Sequence, residues 1–183
     1  MSLADLEREK YEKIWTFPLY RQFSPGEQLV GRAIESLEMQ PGDSVIDYGC
    51  GSGRATRCFQ DLGFDVTGID HASNCLDEGI DVPFIQMCLW EPFSLTSDFA
   101  FCADVMEHIP EEYTGAVIAS IAKRTHRGAF FQIHLGPDSS GPRLLGEPLH
   151  LTQKTADWWG QLLSDYWFVD MTVQATRATY VCR

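Results

Sequence analysis

The chain has 183 residues and a formal net charge of −12. That is the length of one domain, and its charge repels a phosphate backbone, which argues against sequence-independent binding to nucleic acid. A hydrophobic share of 44% against 22% charged residues is that of a globular domain able to bury a core without staples. No apolar run reaches the roughly 18 residues of a membrane span, so no membrane partner is expected.

The lysines, Lys10, Lys13, Lys123 and Lys154, are scattered and form no basic patch. The cysteines are Cys50, Cys58, Cys75, Cys88, Cys102 and Cys182. None forms a C-x-x-C pair, so they read as reduced, mostly buried thiols of a cytoplasmic protein. The start, MSLADLEREKYEK, has no apolar core of a signal peptide.

Residues 4–14 read as a charged helix. An aromatic connection follows, WTFPLYRQFSPG, broken by Pro18 and Pro25. A second helix is predicted over Pro25–Leu37, with Ser24 as N-cap and Pro25 in the first turn. Pro41-Gly42-Asp43 is a turn. Strands and helices then alternate: a strand at 44–48, a helix from Gly53 ending at Gly63, a strand at 65–70, a short helix at 73–79, and strands at 83–87 and 98–104. A helix at 111–124 and a strand at 128–134 follow. After a Gly/Pro-rich loop at 136–148 come a helix at 152–164, opened by Thr152, and two strands within 166–182. Such alternation predicts a doubly wound α/β sheet of seven mostly parallel strands with helices on both faces. The last two strands have no helix between them, so they form a hairpin and place one antiparallel strand in the sheet. Ligands in such sheets lie beyond the strand carboxyl ends. Residues 1–40 would be a helical lid on a binding domain of residues 41–183.

The most informative segment is Asp47-Tyr48-Gly49-Cys50-Gly51-Ser52-Gly53. A strand runs into a glycine-rich turn and then a helix, whose free N–H groups and bare glycines admit a ligand to the backbone. A dinucleotide site requires G-x-G-x-x-G/A. Counted from Gly49 the sixth residue is Arg54, and from Gly51 it is Thr56, so a nicotinamide enzyme is disfavoured. Nor is there a P-loop. Asp70, at the end of the next strand, is placed to accept hydrogen bonds from ribose hydroxyls.

The D-x-G-x-G-x-G pattern resembles motif I of the Rossmann-like, class I S-adenosylmethionine-dependent methyltransferases. Asp104-Val105-Met106-Glu107-His108-Ile109-Pro110 resembles the fourth-strand region of their ubiquinone-biosynthesis and related small-molecule members. The resemblance implies S-adenosylmethionine as cofactor, held by Asp47, Gly49, Cys50, Gly51, Gly53, Asp70, His71, Cys88, Leu89, Asp104 and Val105. Cys88 stands where these enzymes often carry an acid for the adenine amine. Leu89 and Trp90 would then pack on adenine or serve the core.

Methyl transfer needs a positioned acceptor and, often, a base. Three histidines are candidates: His108, His134 and His150. His150 is favoured because it lies in a variable loop, where acceptor specificity is usually built. Each is alternatively a structural histidine. Asp104, Glu107 and His108, with His134 or His150, also offer oxygen and nitrogen donors for a divalent cation. The functional expectation is methylation of an oxygen or nitrogen on a small-molecule acceptor. The alternatives are metal-assisted 2′-O-methylation of an RNA 3′ end and a non-catalytic S-adenosylmethionine-binding protein.

Overall fold

The β-branched and aromatic runs of the sequence pair into one seven-stranded sheet in the computed structural model, which describes residues 2–183. The strands are β1 (Ser44–Tyr48), β2 (Asp65–Asp70), β3 (Phe84–Gln86), β4 (Ser97–Ala103), β5 (Thr125–His134), β6 (Val169–Gln174) and β7 (Arg177–Cys182). Their order is β3-β2-β1-β4-β5-β7-β6. β7 lies antiparallel between β5 and β6, and the other pairings are parallel. The predicted terminal hairpin and the doubly wound class are therefore observed.

The helices are α1 (Leu3–Ile14), α2 (Pro18–Arg21), α3 (Val30–Leu37), α4 (Arg54–Asp61), α5 (Glu111–Arg124), α6 (Ser140–Leu144) and α7 (Ala156–Ser164). Alternate residues of each strand point to opposite faces, which divides the core in two. Ile46, Tyr48, Ile69 and Phe131 pack with Val117, Ile118 and Ile121 of α5 and with Trp159 and Leu163 of α7. Val45, Val66, Phe99 and Phe101 pack on the other face with Ala33 and Leu37 of α3 and Phe59 of α4. Each such burial contributes about 1.5–3 kcal/mol. A third cluster, Ile14, Trp15, Ala72, Cys75 and Leu149, seats the end of α1 over the strand carboxyl ends.

Several expected boundaries change, each for a tertiary reason. Pro25–Leu29 is a 3-10 turn before α3, not the first part of one α-helix. Ser24 caps nothing; its hydroxyl instead accepts from Ser52 Oγ at 3.1 Å. No helix forms over 73–79. There the Arg21 guanidinium takes the carbonyls of Asn74, Cys75 and Leu76, acceptors that a helix would need for itself. The last helix starts at Ala156 with Thr155 as N-cap, its hydroxyl accepting from Trp158 N–H at 3.2 Å. Thr152 is drawn away because its N–H donates to the Glu107 carbonyl and its hydroxyl to that of Ile109. The loop at 136–148 contains the short helix α6.

Candidate active site

Sheet order reverses direction between β1 and β4, and a cavity of about 640 Å³ opens at the carboxyl ends there, the switch point where ligands of such sheets bind. The turn after β1 forms its floor. The Gly49 and Cys50 N–H groups both donate to the Ile69 carbonyl, at 2.7 and 2.9 Å, tying the turn to β2. Gly49 has φ +71°, and a Cβ there would lie 2.4 Å from Val105, so only glycine fits. Gly53 has φ +77° and would collide with Leu76 and Ile80. It serves packing of the following loop and does not border the cavity.

Asp47 is 2% exposed and accepts from Thr56 Oγ1 at 2.6 Å. Burial lifts its carboxyl to about 7 despite that hydrogen bond. Asp70 ends β2 on the cavity wall. Its oxygens accept from Gly51 N–H and Ala72 N–H, both at 2.9 Å. A carboxylate oxygen has two lone pairs, so each keeps one for a ligand. Burial raises its pKa against these backbone donors.

Of the residues expected to touch a cofactor, Asp47, Gly49, Cys50, Gly51, Asp70, His71, Leu89, Asp104 and Val105 border the cavity. Cys88 is a correction: it is fully buried and outside the lining, because β3 ends at Gln86 and the chain turns its thiol inward. Leu89 serves both roles, bordering the cavity while belonging to the core. Trp90 lies edge-on to His71, with ring centres 5.8 Å apart, and stacks on Tyr113. The His71 Nε2 is buried without a partner.

The three candidate histidines, distant in sequence, meet on the opposite wall. His108 and His150 have ring centres 4.9 Å apart, and His134 and His150 5.0 Å. His150 Nδ1 lies 3.2 Å from the Gly136 carbonyl, an acceptor only, so Nδ1 carries the proton and Nε2 the lone pair. His108 Nδ1 lies 2.8 Å from the Tyr11 hydroxyl and 3.2 Å from the Leu149 carbonyl. Burial, and then the neighbouring His150, push the His108 pKa down to about 3. Burial, then Arg177 and His150, also lower that of His134.

Glu107 lies beneath them at 0% exposure. One oxygen accepts from His134 N–H at 3.1 Å, and the other has no partner. Burial and then the Asp104 charge raise its pKa well above the usual carboxylate range. Donor atoms of Glu107, His108 and His150 lie within 4.8 Å of one another. Asp104 is absent from that group, which corrects its expected part in a metal set. It accepts from Gln132 at 3.1 Å and pairs with Arg177 at 3.0 Å.

Trp15, Tyr20 and Phe23 of the aromatic connection border the cavity, and so do two residues of α1 that the sequence does not single out, Glu7 and Tyr11. The buried set Glu7, Lys10 and Ile14 on α1 has a helical i, i+3, i+7 spacing that was visible in the sequence. Asp138 accepts from the N–H groups of Ser140, Gly141, Leu149 and His150 and so fixes the loop that carries His150. Burial alone would raise its pKa, but these donors outweigh it and the carboxyl is held low.

A family model described as a methyltransferase domain matches residues 20–171. A ubiquinone biosynthesis O-methyltransferase of Photorhabdus laumondii is 30% identical over 81 residues, covering 38% of this chain and 34% of that protein. The protein of the same name from Paraburkholderia phymatum is 31% identical over 91 residues, covering 43% and 38%. The matched segment therefore spans about a third of these relatives' length. Among solved structures, the magnesium protoporphyrin IX methyltransferase of Synechocystis PCC 6803 with bound SAH superposes with a TM-score of 0.68 at 20% identity, covering 98% and 99% of the two chains. The DhpI–SAH complex gives 0.73 at 18%, covering 100% and 98%. The family match over most of the chain, and the motif turn at the switch point of this sheet, make the chain a member of the methyltransferase family, in the Rossmann-like class that uses S-adenosylmethionine.

Proposed function

We propose that this chain methylates an oxygen or nitrogen of a small-molecule acceptor, with His150 as the base. The observation that carries the reading is the convergence of His108, His134 and His150 on the cavity that also exposes the motif turn. The residues fit the cofactor, because Asp70 keeps a free lone pair on each oxygen beside the glycine turn. The bound cofactor supplies an activated methyl group on a sulfonium. Asp70 then orients a ribose, while His71, Leu89 and Trp90 flank the base.

The acceptor's proton goes to His150 Nε2, whose partner nitrogen is held by Gly136. His108 stays neutral near neutral pH, given a pKa of about 3, and serves as a polar wall fixed by Tyr11. The N-terminal residues 1–40 act as the lid, since Tyr11, Trp15, Tyr20 and Phe23 line the cavity. Met1, the first of them, lies outside the described residues. An RNA end is a poor match for a chain of net charge −12, whose cavity contains one arginine, Arg177, already paired with Asp104.

The test is turnover of His150→Ala once an acceptor has been found by screening. We expect kcat to fall by about two to four decades, with affinity for S-adenosylhomocysteine unchanged. An equal fall in both would assign His150 to the cofactor pocket instead.

A second reading has Glu107, His108 and His150 holding a divalent cation, favoured by their converging donors and by the unpartnered Glu107 oxygen. Tyr11 and Leu149 engage His108 Nδ1, so such an ion would take Nε2. We expect activity to survive EDTA. Loss on chelation with recovery on adding Mg²⁺ or Mn²⁺ would establish the cation.

A further inference from the structure

A second group of donors lies across the cavity from the histidines, and of these only Asp70 has a part in the function proposed above. Cys50 sits in the turn after β1, and Cys75 in the loop after β2. A donor atom from each of Cys50, Cys75 and Asp70 lies within 4.8 Å of the other two. Cys75 is fully buried, and Cys50 is 7% exposed on the cavity side. The loop holding Cys75 is fixed, since Arg21 Nη1 donates to the Cys75 carbonyl at 3.0 Å and pairs with Asp77.

We propose that Cys50, Cys75 and Asp70 form a binding site for a thiophilic divalent cation such as Zn²⁺ or Cd²⁺, and that the ion and the cofactor exclude one another. Soft thiolates select such ions over Mg²⁺ and Ca²⁺. In a tetrahedral zinc site two sulfurs stand roughly 3.8 Å apart, so a small side-chain rotation suffices to close the site. Two sulfurs and one carboxylate oxygen fill three corners, and the fourth faces the cavity, where water can occupy it. Binding releases the two thiol protons to solvent and moves no electrons. The ion enters past Cys50 and Asp70, the two donors on the cavity wall.

Exclusion follows from Asp70. Its remaining lone pairs serve either the ion or the ribose hydroxyls, so this half of the proposal rests on the cofactor reading given above. Metal binding itself does not.

The experiment titrates Cd²⁺ into the full chain under a non-thiol reductant and follows the thiolate-to-cadmium charge-transfer band. One equivalent should saturate it. Saturating S-adenosylhomocysteine should weaken the apparent affinity for cadmium about tenfold or more. Cys75→Ser and Cys75→Ala, both at a position outside the cavity lining, should lose the band while binding S-adenosylhomocysteine as before. A full band in either variant, or none in the native chain, overturns the site. A band unaffected by S-adenosylhomocysteine overturns the exclusion. S-adenosylhomocysteine titrated without metal isolates the other failure: no binding there would count against the cofactor reading and leave the cadmium result standing.

Discussion

Asp47 is buried with a single side-chain partner, and its carboxyl titrates at about 7 instead of the ordinary 3.8. A folded pKa above the unfolded one favours the fold below the unfolded value, and that advantage is lost as pH rises through the folded value. The window is thus pH 4 to 7, and the loss amounts to about 4 kcal/mol. Asp47→Asn keeps an acceptor for Thr56 and removes the titration. Its melting temperature relative to the native chain should therefore rise between pH 5 and pH 8; a flat difference would contradict the assignment. Asp70 differs, because it holds the N–H groups of Gly51 and Ala72. Asp70→Ala should weaken cofactor binding by about one to three decades and also lower stability, which an isolated reading of the sequence did not suggest. The placing of Asp47, Gly49, Gly51 and Asp70 beside the cavity was legible because it follows from strand ends and local turns. The contacts of His150 with Gly136 and Asp138 were not, since they depend on how a loop closes on itself.

The helices and strands were legible where periodicity or turn residues acted alone, as in β1, β2, α5 and the β6–β7 hairpin. They were misread where a distant side chain intervened. Arg21 shows the mechanism: it binds carbonyls of residues 74–76 and the carboxylate of Asp77, suppressing a helix there and tying the N-terminal segment to that loop. Glu12 adds a second tie, accepting from Ser73 Oγ at 2.7 Å. Arg21→Ala should free the lid, so that amide exchange in α1 accelerates by about tenfold or more while the central strands keep their protection. Uniform acceleration across the sheet would mean that Arg21 supports the whole fold. Tyr11 of α1 is not legible in the sequence because its partner, His108, lies 97 residues away.

At the scale of the molecule, the switch point of the sheet joins two walls, one carrying the glycine turn with Asp70 and the other the three histidines. Tyr11, Trp15, Tyr20 and Phe23 of the N-terminal segment line the same cavity. No helix among the described residues is long and apolar enough to cross a membrane, and the net charge of −12 opposes a phosphate backbone. The central claim is that this cavity is built for S-adenosylmethionine and not for a dinucleotide, as the absent sixth-position glycine already indicates. Calorimetry of the chain with S-adenosylhomocysteine and, separately, with NAD tests it most directly. The account predicts one equivalent of S-adenosylhomocysteine bound and no heat from NAD; saturable NAD binding without a response to S-adenosylhomocysteine would contradict it.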